Sequence, residues 1–492
     1  RYTRSCCCTA ACRPRYKSLL LGAMSSRSQT NENILGTKPV GPLLFQMAVP
    51  AMIAMGVNAL YNLVDTIFVG RIVGPLGIGG IGIAFPMQIV VLAVALLVGI
   101  GSASVISRSL GAKNEEKAAE VLGNAVVMIF VMVMLVAVAG LVFLDPLLYL
   151  LGATEDLRPY AREYLTVILP GSPFLAAAIA SNHLVRSEGR SRRAMTIMLL
   201  GAGLNLILDP IFIYVLDMGV RGAAIATVIA QFVSFVYAAS FYLSGGSSIS
   251  ITVRHVRFRP RIAREAAAVG LGSFVRQVAQ SLFIIVTNNV LREVGDEIAI
   301  SAFGVINKLL IFSLMPLIGI AQGFQPIAGY NYGAGNMARV RRAVQIANVA
   351  AISIALFYFS IVMLFPRVVF GIFTTDPELL NTGATALRIV SLAIALVGLQ
   401  LVGAVFFQSV GMAGPAFVLA LLRQAILLIP LVLILPRFLG VIGVWWAFPI
   451  ADAIAATVTV IWLRREMKKL NIIECDSPGA INADGSPVEG CD

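Results

Sequence analysis

The apolar residues of this 492-residue chain fall into about a dozen blocks of roughly 20, a spacing that constrains the fold more than any motif does. A block of that length crosses the bilayer core as a helix and pairs its backbone polar groups internally. A dozen crossings use about half the chain, and short loops with helix overhang take most of the rest. Composition agrees: 58% of residues are hydrophobic and 13% charged, against about 25% charged in a soluble domain. A soluble enzyme, a disulfide scaffold and a disordered chain are excluded. The expected fold is an all-α integral membrane protein with twelve transmembrane helices. They fall near 43–70, 77–107, 118–144, 160–185, 194–215, 222–243, 266–291, 298–328, 343–365, 384–407, 416–435 and 443–463.

The halves resemble each other at an offset of about 221 residues. GVRGAAIATVIAQF (219–232) aligns with GVIGVWWAFPIADA (440–453), and SRSLGAKNEEKA (107–118) with GYNYGAGNMARV (329–340). DTIFVGRIVG (65–74) aligns with VTNNVLREVG (286–295), and RSEG (186–189) with QSVG (408–411). Six spans per half, an even number, give both halves one orientation. This is the parallel repeat, with a pseudo-twofold along the membrane normal and a cavity between the halves. The expected division is an N-terminal tail (1–42), a six-helix lobe (43–243), a cytoplasmic linker (244–265), a second lobe (266–465) and a disordered tail (466–492). Residue 1 is Arg, and residues 1–23 lack periodicity and an apolar core of signal-peptide length. Met24 therefore reads as the natural start, with a short basic tail as the alternative.

The net charge of +12 reads as topology rather than nucleic-acid binding. One set of loops carries Arg108, Lys113, Lys117, Arg186, Arg190, Arg192, Arg193, five arginines between 254 and 264, Arg339, Arg341 and Arg342. The opposite loops carry Arg71, Arg158, Arg162, Arg221, Arg292, Arg367 and Arg437. The richer set should be cytoplasmic, with both termini inside and the protein in the cell membrane. The basic linker could also attract anionic lipid heads, although topology alone explains it.

Cys6, Cys7, Cys8, Cys12, Cys475 and Cys491 all lie outside the apolar blocks, so neither a structural disulfide nor a cysteine metal site is indicated. His183 and His255 are the only histidines, too few for a histidine metal centre. Gly77, Gly79 and Gly82 spell G-x-G-x-x-G, but they open an apolar span with no strand before it. There is no P-loop, H-E-x-x-H or G-x-S-x-G, so no catalytic residue, cofactor or ATP-driven step is expected.

Carboxylates inside spans are costly and therefore point to function. Asp65, Asp209 and Asp452 lie well inside. Asp65 and Asp209 sit at one depth, roughly 9–12 Å below the outer boundary at 1.5 Å per residue. Thr227 lies at about that depth, and Asn205 shares a helix face with Asp209. Pro210 leaves the Leu206 carbonyl without its helical partner. These oxygens suit a hard cation such as sodium, and two carboxylates in an apolar pocket also suit a proton. The plainer reading is that they cap or cross-link helices. In the second half, Val286, Phe448, Ile429 and Ala425 stand for Asp65, Thr227, Asp209 and Asn205, so the acidic set is not a copied architectural feature. Arg276, Lys308 and Arg423 could face a cavity, snorkel, or pair with Asp452. Pro50 should kink the first span, as packing or as a hinge.

YNLVDTIFVGRIVG (61–74), GLNLILDPIFIY (203–214) and QGFQPIAGYNYGAGN (322–336) resemble the multidrug and toxic compound extrusion (MATE) transporters, closest to the DinF-like bacterial and archaeal branch. The likeness runs from about 40 to 465. It implies two six-helix lobes around a V-shaped cavity, and efflux of organic, often cationic, compounds in exchange for sodium or protons. It also implies a cation site at Asp65, Asn205, Asp209 and Thr227. Further polar N-lobe residues fall at Asn58, Tyr61 and Asn182, and the bend at Pro50. Arg276 and Lys308 are added as possible cavity-lining residues. The expected protein is a monomeric antiporter, not an enzyme, with small amphipathic, cationic substrates and membrane lipids as partners. The rivals are a flippase for a lipid-linked saccharide, which needs a more cationic cavity, and a membrane enzyme, which lacks its motif here.

Overall fold

A computed structural model describes residues 34–72 and 75–475; within it the side chains of 61–67, 69–72, 75 and 470–475 are not described. Among the described residues there is no strand. The first lobe comprises α1 (Val40–Ile72), α2 (Pro75–Gly111), α3 (Glu115–Val142), α4 (Arg158–Ser187), α5 (Ser191–Pro210) and α6 (Gly219–Leu243). The second comprises α7 (Pro260–Val294), α8 (Glu297–Gly333), α9 (Met337–Leu364), α10 in two arms (Pro377–Ser391 and Ile394–Ser409), α11 (Ala413–Leu421) and α12 (Val441–Cys475). Eleven of the described helices or their continuations are long and apolar enough to cross a membrane, and the two arms of α10, bent by 46°, make a twelfth.

The expected boundaries shift in three places. The N-terminal tail is not all tail: Ile34–Thr37 is a helical turn and α1 starts at Val40. Leu35 is buried there and its carbonyl accepts from Asn331 Nδ2 at 2.9 Å, which anchors the segment to the second lobe. The linker is shorter than expected, because Pro260 opens α7 at a position where a missing N–H costs nothing. The last helix runs to Cys475, past the expected end at 465, because 464–475 contains neither Gly nor Pro and Glu466 pairs with Lys469 one turn on.

The repeat is legible in the backbone. Lys113 and Gly335, Gly189 and Gly411, and Gly219 and Gly440 all have positive φ, at the offset that aligns the halves. Lys113 adopts at 57° the conformation that Gly335 adopts freely at 75°. Asn114 and Asn336 follow, and each caps a helix by accepting from the third N–H on.

The lobes meet through reciprocal close approaches. A Cβ on Gly111 would lie 1.9 Å from the Tyr330 carbonyl oxygen, and one on Gly333 would lie 2.1 Å from the Arg108 carbonyl oxygen. Gly101 and Gly270 bring α2 against α7, just as Gly323 and Gly319 bring α8 against Ala48 and Met52 of α1. A self-matching contact of this kind is what a twofold axis produces. Arg108 and Lys117 both reach Glu265, at 3.3 and 3.0 Å, so this joined end carries the basic loops. From it α1 and α8 run antiparallel, in close contact at Ala48 and Met52 of α1 and Gly323 and Gly319 of α8. One turn beyond Met52, Gly56 has nothing within 4 Å of its Cβ position.

Candidate functional site

α5 and α6 form a helical hairpin whose facing sides carry the polar set. Asn205 is 2% exposed and Asp209 1%, one turn apart on α5. Asn205 Nδ2 donates to Asp209 Oδ1 at 3.1 Å and to Thr227 Oγ1 of α6 at 3.2 Å. Thr227 Oγ1 in turn donates to the Ala223 carbonyl at 3.0 Å. Asn205 Oδ1 is buried and accepts no hydrogen bond among the described residues. A buried amide oxygen without a donor forgoes about 1–3 kcal/mol, which a bound cation can restore. The α-helix gives way after Pro210 to a wider π turn over Ile211–Val215. Pro210 has no N–H and the Ile211 N–H turns to the Leu208 carbonyl, so neither donates to Leu206.

The side chains of Asp65 and Tyr61 lie outside the described residues, but both positions are on α1. Phe68, three residues after Asp65, packs on Ile213 and Ala223, each four residues from Asp209 or Thr227. The Asp65 stretch of α1 thus runs beside the α5–α6 cluster. Pro50 sits inside α1 without interrupting it.

The structure separates the other expected positions. Asn182 is buried, donates to the Ala194 carbonyl at 2.6 Å and accepts from Arg186 at 2.6 Å. Arg186 also bonds Gln322 of α8, so this cluster ties the lobes together. Sequence patterning missed it, because Arg186 reads as one more loop charge. Asn58 of α1 and Lys308 of α8 are exposed. Arg423 pairs with Asp452, Nε to Oδ1 at 2.5 Å, which decides one alternative left open by sequence. Arg276 lines a cavity of about 220 Å³ in the second lobe. The places matching the first-lobe oxygens are apolar: Phe448 meets Phe283 edge-on at 5.6 Å, with Val286 and Ile429 packed alongside. Among the described residues, which do not include the Asp65 side chain, no cluster of three or more His, Cys, Asp or Glu could hold a metal ion.

The MatE family model matches residues 50–211 and again 273–434, one match per lobe, and the chain belongs to that family. It is 25% identical over 413 residues to the multidrug export protein MepA of Staphylococcus haemolyticus (strain JCSC1435), covering 84% of this chain and 91% of that protein. Against MepA of Staphylococcus aureus (strain NCTC 8325 / PS 47) the identity is 25% over 430 residues, 87% of this chain and 95% of the relative. A solved outward-facing conformation of a multidrug resistance MATE family transporter of the MOP superfamily superposes with a TM-score of 0.85. It is 28% identical and covers 90% of this chain and 99% of its own.

Proposed function

We propose that this protein exports small amphipathic organic compounds across the cell membrane in exchange for sodium or protons bound at Asp65, Asn205, Asp209 and Thr227. One observation carries the coupling site: Asn205, Asp209 and Thr227 bring oxygens together in a buried cluster that the second lobe replaces with aromatic and aliphatic side chains. The multidrug export role of the MepA relatives supports the substrate class. The basic loops mark the joined end as cytoplasmic, so the far ends of α1 and α8 face outward. A cation entering from outside reaches a carboxylate on α5 and the Asp65 stretch of α1. There it displaces the proton or the Asn205 hydrogen bond that ties α5 to α6, and Pro50 supplies the hinge for α1. Sodium and protons compete, because protonating Asp209 removes the charge that attracts the metal.

The test is ethidium export from vesicles with sodium and proton gradients imposed separately. Asp209→Asn and Asp65→Asn should abolish coupled export in folded protein. Asn205→Ala and Thr227→Ala should raise the sodium concentration required by tenfold or more, while Phe448→Leu leaves it unchanged. Normal export by Asp209→Asn would defeat the reading.

A further inference from the structure

The second lobe holds a cavity of about 220 Å³ between α7, α8, α10 and α11. Arg276 stands on its wall near the midpoint of α7, about 24 Å of helix from one end and about 27 Å from the other at 1.5 Å per residue. Neither end is within reach of a snorkelling side chain. Arg276 also makes no hydrogen bond or ion pair among the described residues, so it cross-links nothing. The second arginine on the wall, Arg423, is neutralised by Asp452, whereas none of the described wall residues is a carboxylate free to do the same for Arg276. A lone cation at this depth is expensive, and a guanidinium offers five donors in a fork that fits carboxylate or phosphate.

The rest of the wall defines the ligand further. Gln400 Oε1 and Gln424 Oε1 are buried without donors. Gln424 is held by its amide against Gln280, which fixes its acceptor in place, and Gln408 on the same wall donates to Ser273 at 2.9 Å. Leu401 and Leu419 complete an apolar side. Duplication does not explain the arrangement, because at the offset of about 221 Met55 stands for Arg276 and Ile179 for Gln400.

We infer that this cavity is a binding site for the head of an amphipathic anion, a carboxylate or phosphate carrying a neighbouring N–H or O–H donor and an apolar body. Arg276 takes the anion, Gln400 and Gln424 accept from the donor, and the leucines hold the body. The inference rests on the export reading for its role, since it names a substrate class that the acidic first lobe would not attract. The source can be a soluble anion or a lipid headgroup.

The experiment uses the full chain in phosphatidylcholine nanodiscs, titrated with 1-naphthyl phosphate, with dioctanoyl phosphatidate and with a naphthyl trimethylammonium as cationic control. Saturable binding of the naphthyl phosphate is expected, weakened tenfold or more by Arg276→Gln and less than threefold by Arg276→Lys. The cation's binding should not weaken. Preference for the phosphatidate over the naphthyl phosphate would identify the lipid source and still support the site. Absence of saturable binding by both anions, or equal affinity in Arg276→Gln, would overturn it. Should Arg276→Gln not fold, an azido-naphthyl phosphate must label α7, α8, α10 or α11 of the unaltered protein, and labelling elsewhere overturns the site. Asp209→Asn keeps the two readings apart: it should stop export and leave anion binding intact.

Discussion

Single side chains in this protein are decided by whether their burial is compensated. Arg423 and Asp452 compensate each other, whereas Asn205 Oδ1 and Arg276 are left open, one as an acceptor and one as a donor. Glu188, at the turn between α4 and α5, shows the same principle outside the membrane. It is 2% exposed, accepts from Ser247 Oγ and the Ser248 N–H at 2.8 Å each, and leaves Oε1 without a partner. Burial pushes its carboxyl up to about 7, outweighing those hydrogen bonds and nearby Arg190. The docked state therefore holds the proton more tightly than the open one. Its stabilisation is complete below about 4.5, falls as pH rises towards 7, and is level above that. Amide exchange of 247–249 should lose up to tenfold protection per pH unit in that window. Glu188→Gln should flatten the dependence, and a variant that keeps the full slope would refute the assignment.

Helices here carry features that their hydrophobic pattern does not announce. α5 ends in a π turn after Pro210, and a matching π stretch at Leu422–Leu428 precedes Pro430 in the second lobe. α10 bends by 46° between Ser391 and Ile394, where the sequence suggests one straight span. Small residues set how closely helices approach. On α8, Gly333 admits the Arg108 carbonyl where a methyl group would lie 2.1 Å from it, and backbone cannot yield as a side-chain tip can. Gly333→Ala should therefore cost about 1–3 kcal/mol through overpacking. A thermal scan in detergent reads this as a lowered Tm, with Gly304→Ala, which faces open space, as the unaffected control.

At the scale of the molecule, two copies of one fold have been given opposite chemistry. The first lobe keeps buried acid and amide oxygens, while the second keeps a lone guanidinium and an aromatic core at the equivalent of the acidic site. The joined end holds the linker tightly: His255 and Arg259 reach Glu116 and Glu120 of α3, and Asn124 donates to the Arg259 carbonyl at 3.0 Å. If that end is cytoplasmic, a membrane-impermeant maleimide applied outside cells should modify cysteine placed at Arg158 or Arg367, and not at Arg192 or Arg341. The background would lack the six native cysteines. Labelling of Arg341→Cys from outside would invert the topology and with it the direction of the proposed exchange.

The crossings, the duplication and the clustering of Asn205, Asp209 and Thr227 could be read from sequence because each is a one-dimensional signal. Block length, offset, and charge inside an apolar run are all counted along the chain. The first-lobe cluster in particular followed from helical spacing, since Asn205 and Asp209 lie one turn apart whatever packs around them. Tertiary structure alone decided which charges are neutralised. Arg276, Arg423 and Lys308 look alike in an apolar segment, yet one lines a cavity, one pairs with Asp452 and one is exposed. The same holds for Arg186, which sequence assigns to a loop and which instead bonds across the lobes to Gln322 while also donating to Asn182. A charge within a span is an energetic debt visible in the sequence; the partner that settles it lies on another helix, at a distance fixed only when the helices pack.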